Sequence, residues 1–271
     1  MSFLLALALA LYFVSGTLSL AHSVRRGVSL FRWSSLGALA AGVIATALWI
    51  VTSWHSAGHP PFAELHGCLV LLALCVGMVS LSIELLEDVR FVGGLSSLVA
   101  AGVLIVRVRY LGEVRELPPD LQSLYFAPHV LSYFIAYGAL TVSGLAGLVL
   151  LVARLVGRPA DSGHAGLLEN VETWIFRSAR IGFPFLTLGL VLGAFWAQAA
   201  YTDYWSWDPK EVWALITWLL VAVWFHLWTT GRRGVLPAAV MVLAVGALYF
   251  TLFGMGLLPT AGQSVHTYSQ P

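Results

Sequence analysis

Apolar residues fall into eight runs of about 20, the length needed to cross a bilayer as a helix. They occupy 2–21, 36–53, 64–83, 91–106, 129–153, 179–198, 212–229 and 235–257, with short polar stretches between them. The fourth run is short, as for a tilted or partly re-entrant helix. The first has the apolar stretch of a signal peptide but no basic residue before it and no clear cleavage site, so it reads as a retained span. No connection exceeds about 25 residues, which leaves no room for a soluble domain. The pattern predicts an all-α, polytopic helical bundle. Residues 1–271 are expected to form a single membrane domain, with 1–110 as its N-terminal helices.

Composition agrees. Hydrophobic residues make up 59% of the 271 and charged residues 10%, against about 25% charged in ordinary soluble domains. The net charge of +1 comes from scattered residues and gives no sign of nucleic-acid binding. Cys68 and Cys75 lie in one apolar run, about 10 Å apart along a helix. That separation disfavours a disulfide, and both are expected to be small core residues. Neither CxxC nor CxxCH occurs, which excludes a thioredoxin-like motif and a covalent haem site on this chain.

Basic residues set the expected orientation. With the N-terminus outside, the inner connections hold Arg25, Arg26, Arg32, Arg90, Arg154, Arg158, Arg177, Arg180, Arg232 and Arg233. The outer ones hold Arg107, Arg109, Arg115 and Lys210. This asymmetry favours both termini on the extracytoplasmic side. Loop 107–128 dissents with three arginines. Either that charge is tolerated, or those arginines serve something acidic.

On this topology the outer face carries the most unusual stretch of the chain, WAQAAYTDYWSWDPKEVWALITW from Trp196 to Trp218. Trp196, Trp205, Trp207, Trp213 and Trp218, with Tyr201 and Tyr204, surround the polar knot Asp208-Pro209-Lys210-Glu211. Indole and phenol rings suit a membrane interface, and together they would make a shelf for a flat aromatic ligand. An aromatic belt beside a well-capped helix is the plainer alternative. Asp208 has the character of an N-cap, Pro209 of a first helical residue, and Glu211 completes a capping box. The N–H groups of the helix so launched favour an anion, for which a propionate is one candidate.

Histidines decide whether the shelf is a site, because imidazole is a usual axial ligand for haem iron. His129 opens the fifth run in SLYFAPHVLSYF, and His266 lies in the tail GQSVHTYSQP. Both are expected near the level of the tryptophans and could bind one iron from opposite faces. His226 lies about 21 Å along the seventh run from its start, towards the inner side. An ionisable group there is a functional candidate, and His22, near the inner end of the first run, is a conceivable partner. His66 falls in the first turn of the third run. His55, His59 and His164 are expected in loops, without a role.

These residues carry a resemblance. The segment 196–218 closely resembles the tryptophan-rich "WWD" signature of the haem-handling membrane proteins of cytochrome c biogenesis, which include CcmC, CcmF and CcsA types. The order His129, WWD loop, His226, His266 is most similar to the CcsA/ResC type of System II. The likeness covers about residues 120–271, the haem-handling core with its WWD loop at 196–213, whereas 1–110 fit by hydropathy alone. FAELHGCLV stands where the family shows a different aromatic-acidic pairing.

What the resemblance implies is a cytochrome c synthase (haem lyase) subunit in a cytoplasmic or thylakoid-type membrane. His129 and His266 would ligate haem b against Trp196, Tyr204, Trp205, Trp207, Asp208, Pro209, Lys210, Glu211 and Trp213. His226 would belong to an inner haem site whose opposite ligand comes from a CcsB/ResB-type partner, expected here as a separate chain. Apocytochrome c would offer CxxCH thiols to the haem vinyls, with no residue of this chain needed as acid or base. The rival expectation is a non-catalytic haem-binding chaperone, or a regulatory membrane scaffold, of the same fold.

Overall fold

A computed structural model describes residues 3–24, 29–86, 90–108, 117–156 and 162–254. Eight α-helices run through them: α1 (Phe3–Val24), α2 (Ser29–Ala57), α3 (Leu65–Leu86), α4 (Arg90–Arg107), α5 (Phe126–Leu155), α6 (Ser162–Tyr201), α7 (Pro209–Thr229) and α8 (Val235–Phe253). Among the described residues seven helices are long and apolar enough to cross a membrane, and Phe91–Arg107 is a shorter apolar one. The protein is a polytopic membrane helical bundle.

The main departure from the hydropathy pattern is α6. Its expected span, 179–198, is only the second half of a 40-residue helix. At 1.5 Å per residue this helix is about 60 Å long, twice a hydrocarbon core. The extra turns carry Glu169, Glu172 and Arg177, which end the apolar run. Leu168, Val171, Trp174, Ile175 and Ser178 are nevertheless buried along one face, the spacing of an amphipathic helix rather than a lipid-facing one. Ser143 Oγ of α5 donates to Ile175 O at 3.0 Å, and Arg154 lies 3.9 Å from Glu172. His55 and His164 are likewise helical, in the last turn of α2 and the first turn of α6, rather than in loops.

The chain divides into two compact units at residues 122 and 123. In the first, α1 packs on α2 and α4, and α3 packs on the same two, closing a four-helix ring. Hydroxyl groups cross its interior: Tyr12 to Thr46 (3.1 Å), Ser15 to Ser35 (3.4 Å), and Ser19 donating to the buried Glu84 carboxylate (3.4 Å). In lipid, where apolar contact alone holds helices weakly, such bonds contribute to association. Cys68 and Cys75 are both buried and are not joined in a disulfide, as their spacing implies.

In the second unit α5 is central, packing on α6 and α8, while α7 packs on α8 and approaches α6 at few backbone positions. Glycines let α5 close on its neighbours. A side chain at Gly182 would meet Leu140, and one at Gly144 would meet Val245.

Candidate functional site

The tryptophan-rich loop runs from the end of α6 to the start of α7, and its ends are held differently. Tyr201 closes α6, and Thr202 follows at φ +70°, its N–H donating back to Gln198 O at 3.0 Å. A left-handed residue here is a common way to end a helix, but it is normally glycine. Trp207, just before α7, is also left-handed at φ +59°. Each such conformation costs about 1–2 kcal/mol in a residue with a Cβ, and persists only where its surroundings over-determine it.

The determining element is the cap. Asp208 is buried, 6% exposed, and its Oδ1 accepts from Lys210 N–H at 2.8 Å. Glu211 Oε2 accepts from Asp208 N–H at 3.1 Å and from Ser206 N–H at 2.9 Å. With Pro209 in the first turn, the expected capping box is present, and through Ser206 it reaches further back into the loop. Two carboxylates of the chain itself therefore occupy the start of α7. That leaves less electrostatic reason for a further anion there than the sequence implied.

The tryptophans do not form one continuous shelf. Trp207 is 71% exposed and stands edge-on to Trp205, at 5.9 Å and 88°. Tyr204 is exposed as well. Trp205 is half-buried, with its Nε1 shielded and lacking a hydrogen-bond partner among the described residues. Trp213 turns instead onto Phe250 of α8 (4.3 Å), and Trp218 Nε1 donates to Thr187 of α6 at 2.9 Å. These two brace α7, which leaves Tyr204, Trp205 and Trp207 as the rings presented by the loop. Pro209 and Lys210, which follow in the first turn of α7, are half-buried.

Trp196 lies behind the loop, almost fully buried, and stacks on His129 at 5.8 Å and 19°. Tyr133, one turn along α5, meets the same imidazole edge-on at 5.0 Å and 81°. On the α6 side, His129 Nδ1 is 2.9 Å from Gly189 O. A carbonyl only accepts, so Nδ1 carries the hydrogen and the neutral ring has its lone pair on Nε2. Gly193 makes room for it, since a Cβ there would come within 2.6 Å of the ring's Cε1. Metal-ligating histidines are typically oriented in this way by a second-sphere acceptor, and a neutral imidazole is the kind of donor that haem iron takes.

His226 is in the last turn of α7 with its side chain exposed, and its carbonyl accepts from the Thr229 and Thr230 hydroxyls. Between the loop and this end, aromatic rings fill the interval between α6 and α7. Phe183 meets Trp218 (5.4 Å) and Phe225 (5.3 Å), and Phe176 stacks on Trp228 (4.9 Å). Trp224, fully buried, has no partner for its Nε1 among the described residues. His266 lies outside the described residues, as does its expected pairing with His129. His22 is half-buried at the end of α1, in the first unit.

Sequence reasoning missed Gly189, Gly193 and Tyr133. The only signals were the four-residue spacing of the glycines, as in close helix contacts, and the i, i+4 relation of Tyr133 to His129.

Residues 62–261, most of the chain, match the family described as Cytochrome C assembly protein. This chain belongs to that family, in its CcsA type. The cytochrome c biogenesis protein CcsA of Chlamydomonas reinhardtii is 31% identical over 230 residues, covering 82% of this chain and 64% of its own. CcsA of Porphyra purpurea is 30% identical, covering 88% and 89%. Among solved structures, the cytochrome c haem lyase CcmF superposes with a TM-score of 0.67 at 19% identity, over 96% of this chain and 47% of that one. The chain thus spans under two thirds of the Chlamydomonas protein and about half of CcmF. Membership places it in cytochrome c assembly.

Proposed function

We propose that this chain is the haem-presenting subunit of a cytochrome c synthase. The observation that carries the reading is His129, held by Gly189 O through Nδ1 and backed by Trp196 beside the tryptophan-rich loop. His129 would be one axial ligand of haem b and His266 the other. Tyr204, Trp205 and Trp207 would face the macrocycle, and the unpartnered Trp205 Nε1 suits an acceptor on the ligand, such as a propionate.

Haem as substrate brings two vinyl groups, and the apocytochrome CxxCH segment brings two thiols. Each thiol adds across a vinyl C=C, sulfur to one carbon and its proton to the other, with no net oxidation. The chain's part is to hold both reactants in orientation. Bis-histidine ligation would also limit access of oxygen to the iron.

His226 would serve an inner site. Its exposure on α7 suits a ligand completed from outside this chain, which supports a CcsB-type membrane partner. Haem would pass between the two sites along α6 and α7, where the rings that now pack on one another would have to part. On the orientation favoured by the arginines, that passage runs outward to an extracytoplasmic loop.

The test is an absorption spectrum, reduced and oxidised, of the full chain co-purified with its CcsB-type partner, alongside cytochrome c maturation. His129→Ala should weaken a low-spin b-type spectrum and abolish maturation. His226→Ala should reduce haem delivery, with partial rescue by imidazole. An unchanged spectrum in His129→Ala would remove the axial assignment. A His129-dependent spectrum without any maturation would favour the haem chaperone.

A further inference from the structure

We propose that the end of the first unit formed by Trp49, His66 and Arg107 binds the oxyanion of a membrane amphiphile, a phosphate or a carboxylate. Arg107 is the last residue of α4, yet it is only 6% exposed. Its Nε and Nη1 are both shielded and have no hydrogen-bond partner among the described residues. No carboxylate lies within 4.0 Å of it among the described residues. Its guanidinium lies over the buried Trp49 of α2, 5.4 Å from the ring centroid. A cation–π contact offsets part of the desolvation of such a charge. It satisfies none of the N–H donors, and a buried cation without an anion is strongly disfavoured.

The neighbours bring one carboxylate close, but it forms no ion pair with the guanidinium. His66 of α3 is buried and meets the same Trp49 edge-on, at 6.4 Å and 76°. It is within electrostatic reach of Arg107. The nearby carboxylate, Glu64, faces His66 Nε2 at 3.6 Å rather than the guanidinium. The approach is fixed by connection 58–64, where a Cβ on Gly67 would collide with Pro61 O and where Cys68 Sγ donates to Phe62 O at 3.2 Å.

A second, independent line comes from topology. Arg107 is one of three arginines that the charge asymmetry sets on the disfavoured side of the membrane. Its place in the last turn of an apolar helix puts it at the level of lipid headgroups. An oxyanion accepting from the guanidinium would explain both the location and the unused donors.

The test uses the full chain, delipidated in dodecyl maltoside, with the thermal midpoint followed as probe is added. The probes are phosphatidylglycerol, oleate, inorganic phosphate and, as the uncharged control, diacylglycerol. An oxyanion probe should raise the midpoint of the parent beyond the control, since a ligand bound to the folded state stabilises it. Phosphatidylglycerol alone acting identifies a lipid phosphate, oleate alone a carboxylate, and inorganic phosphate sufficing identifies a free anion. Arg107→Gln should weaken the effective probe by about ten- to a hundredfold, as expected for loss of charge-assisted hydrogen bonds. Arg107→Lys should keep part of the effect and serves if the glutamine variant does not fold. No anion-dependent rise in the parent, or an equal rise in both variants, overturns the proposal.

Discussion

His129 and Gly189 stand 60 residues apart in the chain, yet the imidazole Nδ1 of one lies 2.9 Å from the carbonyl oxygen of the other. This contact sets which ring nitrogen holds the proton, and the absence of a side chain at Gly193 lets the ring lie against α6. Gly193→Ala should therefore push the imidazole off its seat, since the new methyl would sit 2.6 Å from Cε1. The expected result is a weakened or high-spin haem spectrum with folding retained. Gly246→Ala, where a Cβ meets nothing within 4 Å, should leave the spectrum as it is.

The cap on α7 should matter to the loop beyond its own turn. Asp208→Ala should cost about 1 kcal/mol, the usual worth of an N-cap. Glu211→Ala should cost at least as much, because its carboxylate also holds Ser206 N–H. Glu211→Gln should lose less, as an amide oxygen still accepts. Thermal midpoints of the three variants check the order. Equal midpoints for Glu211→Gln and Glu211→Ala would show that the back-bonding carries no weight.

Trp207 separates conformation from contact. Its φ of +59° suits glycine, and its ring is largely exposed. Trp207→Gly should change stability by no more than about 1 kcal/mol, because relief of left-handed strain offsets the extra freedom of the unfolded chain. Haem retention through purification should fall nonetheless. A large drop in midpoint would mean that the indole packs structurally and does not wait for a ligand.

The first unit offers a test of packing alone. A Cβ on Gly93 would collide with the Glu84 carboxylate, which Ser19 holds from α1. Gly93→Ala should destabilise by about 1–3 kcal/mol, the cost of overpacking. Gly102→Ala, with nothing within 4 Å, should be neutral or stabilise by up to about 1 kcal/mol through helix propensity. Matching denaturation midpoints for the two variants would count against the close approach of α4 to Glu84.

Legibility differed sharply between neighbouring features. The cap residues Asp208, Pro209 and Glu211 were readable because each acts within one helical turn of the others. The first half of α6 was not. Its buried residues recur every three to four positions among charged ones, and such a face becomes apolar surface only once α5 lies against it. The tryptophans were readable as a cluster, but their division was not. Phe250 and Thr187, which turn Trp213 and Trp218 away from the loop, lie 37 and 31 residues from them.

By itself the sequence determined the eight helices, the membrane as their solvent and the capped start of α7, and it singled out His129, His226 and His266 as candidate haem ligands. All of these rest on hydropathy or on relations spanning a few residues. Tertiary structure alone decided that His129 points Nδ1 at Gly189, that Trp196 backs it while Trp207 stands exposed, and that Arg107 is buried over Trp49. Those facts depend on which helix faces meet. Packing sets that by shape and by satisfied donors between residues tens of positions apart, and no local pattern encodes it.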